Sequence, residues 1–110
     1  MGRGGSPAAQ TLMTRLLLVR PEAEQDLIAA RDWYEQKRSG LGDVFLDEVA
    51  VAMRELERDP ERARLYFRNF RRVLLRRFPY KVFYQVFVER IVVFRVLHAK
   101  QGHERRLGAK

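Results

Sequence analysis

The chain contains no cysteine, four prolines, a single tryptophan and two histidines, His98 and His103. Without thiols there is no disulfide framework, no thiolate nucleophile and no cysteine-based metal site, a composition suited to a reducing cytoplasm. Long apolar runs are missing as well: stretches such as Leu16–Val19 and Val86–Val88 fall far short of the roughly 18 residues that cross a bilayer, so no membrane partner is expected as a span. Acidic residues are scarce in the second half. Residues 20–61 carry six Lys/Arg against twelve Asp/Glu, whereas residues 62–110 carry fourteen against two. The acids that are present sit at helical spacings that read as solvent faces, so no metal site and no cofactor are expected.

What the chain does have is 110 residues with 46% apolar and 33% charged side chains, enough for one domain with one modest core. Its formal charge of +8 calls for an anionic partner: nucleic acid, an acidic protein segment or a membrane surface. Charge alone does not choose among them. Residues 1–14, rich in Gly, Ser and Ala, read as a flexible leader in which Met13 is a second candidate start. Residues 15–100 form the domain and residues 101–110 a basic C-terminal tail.

The periodicity predicts an α+β fold. Leu16–Val19 is a short strand closed by Arg20-Pro21, and Pro21 suits the first turn of a helix. Ala23, Leu27, Ala30 and Tyr34 then recur at helical spacing, with Glu22, Glu24 and Asp26 loading the first turn and Lys37 and Arg38 the last. Gly40-Leu41-Gly42 turns the chain back into a second helix, striped by Phe45, Val49, Ala52, Met53 and Leu56 and ending at Asp59-Pro60. After a polar, arginine-rich link over residues 61–69 the period becomes two. Tyr80, Val82, Tyr84, Val86 and Val88 share one face, opposite Lys81, Phe83, Gln85, Phe87 and Glu89. Val92, Phe94, Val96 and His98 then alternate with Ile91, Val93, Arg95 and Leu97. The economical arrangement is an N-terminal strand, an antiparallel helical hairpin and a three-stranded antiparallel meander, with both helices on one face of a four-stranded sheet. Its second face, bearing Phe83, Phe87 and Arg95, is expected to be open.

Several of these segments together resemble the RelE/ParE superfamily of toxins from type II toxin–antitoxin modules. They are Trp33-Tyr34-Glu35, Gly40-Leu41-Gly42 before Phe45-Leu46, Asp59-Pro60, Arg77-Phe78-Pro79-Tyr80-Lys81-Val82-Phe83-Tyr84 and Val96-Leu97-His98. The Phe-Pro-Tyr corner and the Trp-Tyr-Glu helix end are similar to the ParE branch. The resemblance implies a plasmid-stabilization type of toxin that binds its target, DNA gyrase, and is neutralised by a cognate acidic antitoxin in a hetero-oligomer. The ribonuclease branch implies the alternative, a ribosome-dependent mRNA endoribonuclease with ribosome and mRNA as partners. That branch's pattern, laid on this chain, falls on Arg72, Leu74, Lys81, Gln101 and Leu107, of which two keep a cation. A third reading, a plain nucleic-acid-binding module, needs only the charge asymmetry.

RNA cleavage through a 2′-hydroxyl needs a proton acceptor, a proton donor and cations at the phosphorane. The catalytic set available for it is Arg72, Lys81, His98 and Lys100, with His98 as the titrating group or else as a strand-end histidine packed against the helices. The binding set for target or antitoxin is Arg71, Arg72, Arg76, Arg77, Lys81, Phe83, Phe87 and Arg95. Arginine suits bidentate carboxylate or phosphate contacts, and the same charges on an edge strand also block sheet-to-sheet aggregation. Trp33 and Tyr34 read as core residues. Glu48 and Glu89 have nothing in the sequence to tie them to a site.

Overall fold

The structure, a computed structural model, describes residues 15–108. The leader expected over residues 1–14 lies outside them. Strand β1 (Leu16–Val19) leads into α1 (Pro21–Lys37), and α2 (Leu41–Arg58) follows. Strands β2 (Leu65–Phe67), β3 (Phe70–Leu74), β4 (Tyr80–Val86) and β5 (Arg90–His98) and a short helix α3 (His103–Arg106) complete the fold. Pro21 opens α1 after an extended Arg20, and Glu22 and Glu24 complement the amino-terminal end of its dipole. Between the helices Gly40 adopts φ 89°, a left-handed conformation that favours glycine. Gly42 is required for another reason. A Cβ there would lie 2.8 Å from the Arg31 backbone oxygen, so its bareness lets the two helices approach. The Glu35 carboxylate then caps the turn, accepting from the Gly40 and Gly42 backbone N–H groups, each at 2.9 Å.

The sheet has five strands in the order β1-β5-β4-β3-β2, with β1 parallel to β5 and the other pairs antiparallel. The additional strand is β2, inside the stretch expected to be a link. It forms because Arg68, at φ 55°, and Asn69 make a tight turn that folds Leu65–Phe67 back on β3. Both long helices cover one face. There Ala30, Tyr34, Phe45, Val49, Ala52 and Leu56 meet Val82, Tyr84, Ile91, Val93 and Val96. Phe78, from the Phe-Pro-Tyr corner, inserts between Tyr34 and Phe45, with ring centroids 4.8 and 5.3 Å away in edge-to-face contact. The corner is therefore a plug that locks the β3–β4 connection onto the helices.

The second face is not open, contrary to the expectation from alternation. Phe70, Phe83, Leu97 and Leu107 form a second buried cluster, with Tyr66, Phe67 and Phe94 packed at its margin. Leu107, just past α3, closes it, and His103 stacks edge-on against Phe83 at 4.9 Å. The segment expected as a tail is thus partly structural. Strict alternation also fails in β5: Phe83 pairs with Arg95 but Tyr84 with Val93, so Phe94 is an extra residue at a β-bulge. Ile91, Val93 and Val96 consequently all reach the helix-side core. Trp33, expected in the core, is 53% exposed, while its neighbour Tyr34 is buried. Among the described residues no helix is long and apolar enough to cross a membrane.

Candidate functional site

The cationic and aromatic residues singled out in the sequence separate into four environments. Arg71 turns to the helix side and pins the chain after α2, donating through Nη1 to the Ala63 carbonyl at 2.5 Å and the Glu61 carbonyl at 3.3 Å. Arg72 pairs with Phe83 across β3 and β4, and its guanidinium lies 3.8 Å above the Tyr66 ring. Lys81 shares that second face, between Leu74 and Leu97. Arg76 and Arg77 occupy the β3–β4 connection and are tied to α2. Phe87 follows β4, half-buried beneath the Arg90 guanidinium at 4.6 Å.

Beyond Arg71, two more members of the expected binding set are built into the fold. Phe83 is fully buried under the C-terminal segment. Arg95 forms a bidentate ion pair with Asp26 of α1, Nε to Oδ2 at 2.7 Å and Nη2 to Oδ1 at 2.8 Å. The Asp26 hydrogen bond, ahead of its charge, holds the Arg95 guanidinium pKa above the ordinary arginine value. A docking surface centred on Phe83 and Arg95 is therefore ruled out by burial of the first and internal pairing of the second.

His98, Arg72 and Lys81 do not converge. His98 pairs with Tyr80 and stacks edge-on against it at 5.2 Å, on the helix side, whereas Arg72 and Lys81 project from the opposite side of the same strands. The His98 ring Nδ1 accepts the Lys100 backbone N–H at 3.0 Å, and the His98 carbonyl lies 2.9 Å from His103 Nε2. Lys100 itself is exposed in the following turn. Beside His98 a cleft of about 570 Å³ is bordered by Trp33, Tyr34, Tyr80 and Asp26. It brings aromatic rings together but no partner cation for phosphate chemistry.

Glu48, assigned no role from sequence, organises two exposed cations, Arg76 and Arg77. Its carboxylate accepts the backbone N–H of Arg76 at 2.5 Å and of Arg77 at 2.6 Å, together with Arg77 Nε at 2.9 Å. Burial acts to raise the Glu48 pKa, but the Arg77 and Arg76 donors outweigh it and hold the carboxyl below the usual range. The Glu48 side chain is 9% exposed while that of Arg77 is 69% exposed, so an inward carboxylate anchors an outward cation. Arg76 reaches from the same loop to Glu55 at 3.3 Å. These two arginines, Leu74 and the flank of α2 form the walls of a groove of about 410 Å³. No signal along the chain joins residues 47–55 to residues 74–77. Only packing of α2 on the end of β3 does so.

A family model described as the ParE toxin of the type II toxin–antitoxin system parDE matches residues 17–102. The chain belongs to the ParE toxin family. Among solved structures, a chain of the "Chromosomal ParDE TA system from P. aeruginosa" is similar with a TM-score of 0.72 and 18% identity, covering 78% of this chain and 97% of that one. At that identity the likeness concerns the fold. No curated protein sequence matches this chain. The ParE match runs from Leu17 within β1 through both long helices and strands β2–β5, and stops before α3.

Proposed function

We propose that this ParE-family chain is a cytoplasmic toxin that arrests growth by binding its target without covalent chemistry, and that a cognate acidic antitoxin neutralises it. DNA gyrase is the target the family resemblance suggests. The observation that carries this reading is the separation of His98 from Arg72 and Lys81 by the thickness of the sheet. Phosphoryl transfer needs a proton-transfer group and cations within hydrogen-bond reach of one phosphate. Exposed arginines held on a rigid frame by Glu48 suit recognition of carboxylates instead.

Induced expression in bacteria, supercoiling by purified gyrase and mRNA integrity on ribosomes test this together. Growth arrest with inhibited supercoiling and intact mRNA is expected. Ribosome-dependent mRNA cleavage with unaffected supercoiling would overturn the reading in favour of an endoribonuclease.

A further inference from the structure

We propose that the cleft beside His98, between α1, the start of β4 and the end of β5, binds a guanine base, with Trp33 as its stacking surface and His98 and Gln101 as the hydrogen-bond donors that select it. This site plays no part in the toxin reading above and stands or falls separately.

The first support is a pair of fixed donors. His98 Nδ1 accepts the Lys100 backbone N–H at 3.0 Å, so the neutral ring carries its proton on Nε2. Gln101 is oriented in the same way: its Oε1 accepts the His98 backbone N–H at 2.6 Å, which leaves the Nε2 amide group turned away as a donor. The Gln101 backbone N–H returns to the His98 carbonyl at 3.0 Å, and His103 Nε2 lies 2.9 Å from the same carbonyl. The turn is thereby held rigid. Both side chains border the cleft, and among the described residues neither Nε2 group has a hydrogen-bond partner. Two preorganised donors on one turn call for a ligand with neighbouring acceptors.

The second support is the aromatic wall. Tyr34 and Tyr80 stand edge to face with ring centroids 6.1 Å apart, and Tyr80 meets His98 at 5.2 Å. Trp33 lies perpendicular to Tyr34 at 5.0 Å and is 53% exposed. An exposed indole bordering a cleft of about 570 Å³ offers a surface on which a planar ring stacks.

Chemistry and charge select the occupant. An apolar aromatic side chain of a protein partner would cover both donors without pairing them, a desolvation loss that offsets the gain from stacking. Guanine presents the adjacent acceptors O6 and N7, whereas adenine sets an amino donor beside N7 and so opposes a donor with a donor. Asp26, which also borders the cleft, is paired with Arg95 and does not act as a free anion. Lys37 Nζ, 4.5 Å from the Trp33 ring centroid, and the exposed Lys100 supply cations for a phosphate outside the cleft, and the formal charge of +8 favours an anionic ligand.

Trp33 is the only tryptophan of the chain, so its fluorescence reports on this cleft. Titration of the full chain with 5′-GMP, excited at the red edge of indole absorption where guanine is transparent, should quench that fluorescence saturably. AMP should bind at least about fivefold more weakly. Gln101→Glu keeps an oxygen for the His98 N–H but exchanges the donor for an acceptor, and should weaken GMP binding at least about tenfold. Leu16→Asp makes the same change of charge at the far end of the sheet, where Leu16 pairs with Arg90, and should leave binding unaltered. Calorimetry of Trp33→Ala should show no heat of GMP binding, which separates stacking from collisional quenching. A short thymine strand carrying a single guanine distinguishes the sources of the base: tighter binding of the strand or of GMP names which one the site takes, and either supports it. Quenching that never saturates, equal affinity for AMP, GMP binding retained by Gln101→Glu, or equal weakening by Leu16→Asp would overturn the proposal. Circular dichroism of each variant confirms that the fold is intact.

Discussion

Asp26 and Arg95 hold the start of α1 against the β-bulge of β5, and Asp26 does so with three hydrogen bonds, two from the Arg95 guanidinium and one from the Val96 backbone N–H at 2.9 Å. Their side chains are 13% and 19% exposed, so neither partner can recover full hydration when the other is removed. Asp26→Ala should cost about 2–4 kcal/mol in urea unfolding, because it strands both a guanidinium and a backbone donor. Asp26→Leu combined with Arg95→Leu should recover part of that loss. An Asp26→Ala variant as stable as the parent would show that water satisfies Arg95.

Glu48 links acidity to the shape of the β3–β4 connection. Its folded pKa is depressed: burial pushes it upward, but hydrogen bonds from Arg77 and Arg76 prevail. The stabilisation is therefore fully present above the ordinary glutamate value of about 4.3 and is lost as pH falls through the lower folded value. Glu48→Gln should remove this part of the acid-side slope and speed amide exchange at Arg76 and Arg77. An unchanged slope in the variant would show that other carboxylates govern acid stability.

Gly42→Ala tests the close approach of the helices. The new Cβ would meet the Arg31 carbonyl at 2.8 Å, so the hairpin must spread. Thermal unfolding should show a loss of about 1–3 kcal/mol, as for overpacked sites. Gly40→Ala strains the backbone instead, at φ 89° with open space around it, and should cost about 1 kcal/mol.

Leu107→Ala probes whether the C-terminal segment seals the second cluster. Leu107 is 3% exposed against Phe70, Phe83 and Leu97, and its truncation should cost about 2–3 kcal/mol and raise binding of a hydrophobic dye. Unchanged stability and dye binding would mean that these aromatics are covered without it.

His98→Ala separates binding from catalysis. The well-expressed, folded variant should still arrest growth, since His98 lies apart from Arg72 and Lys81. Abolished arrest would return His98 to a catalytic role.

Much of the scaffold was legible along the chain because its signals are local. Pro21 and the charged first and last turns mark α1, Gly40 and Gly42 mark the hairpin, and the change of period marks β4 and β5. Strand β2 leaves no trace along the chain because three residues between arginines establish no period. The candidate site leaves weaker local signals. Phe83 and Phe87 alternate identically with their neighbours, yet Leu107 buries only the first. Arg77 just before β4 and Arg95 within β5 are both cations of the sheet half, yet one side chain is 69% exposed and the other 19%.

The order of residues alone thus determined the element types, the helix-side apolar stripes and the polarity of charge from an acidic helical half to a basic sheet half, since propensity, capping and periodicity act between near neighbours. Which cations face outward, which face of the sheet is sealed, and where a groove lies were decided by contacts between residues as distant as Asp26 and Arg95 or Glu48 and Arg77. A carboxylate's partner is chosen by distance in space once the core has packed, and alternation of side chains carries no record of it.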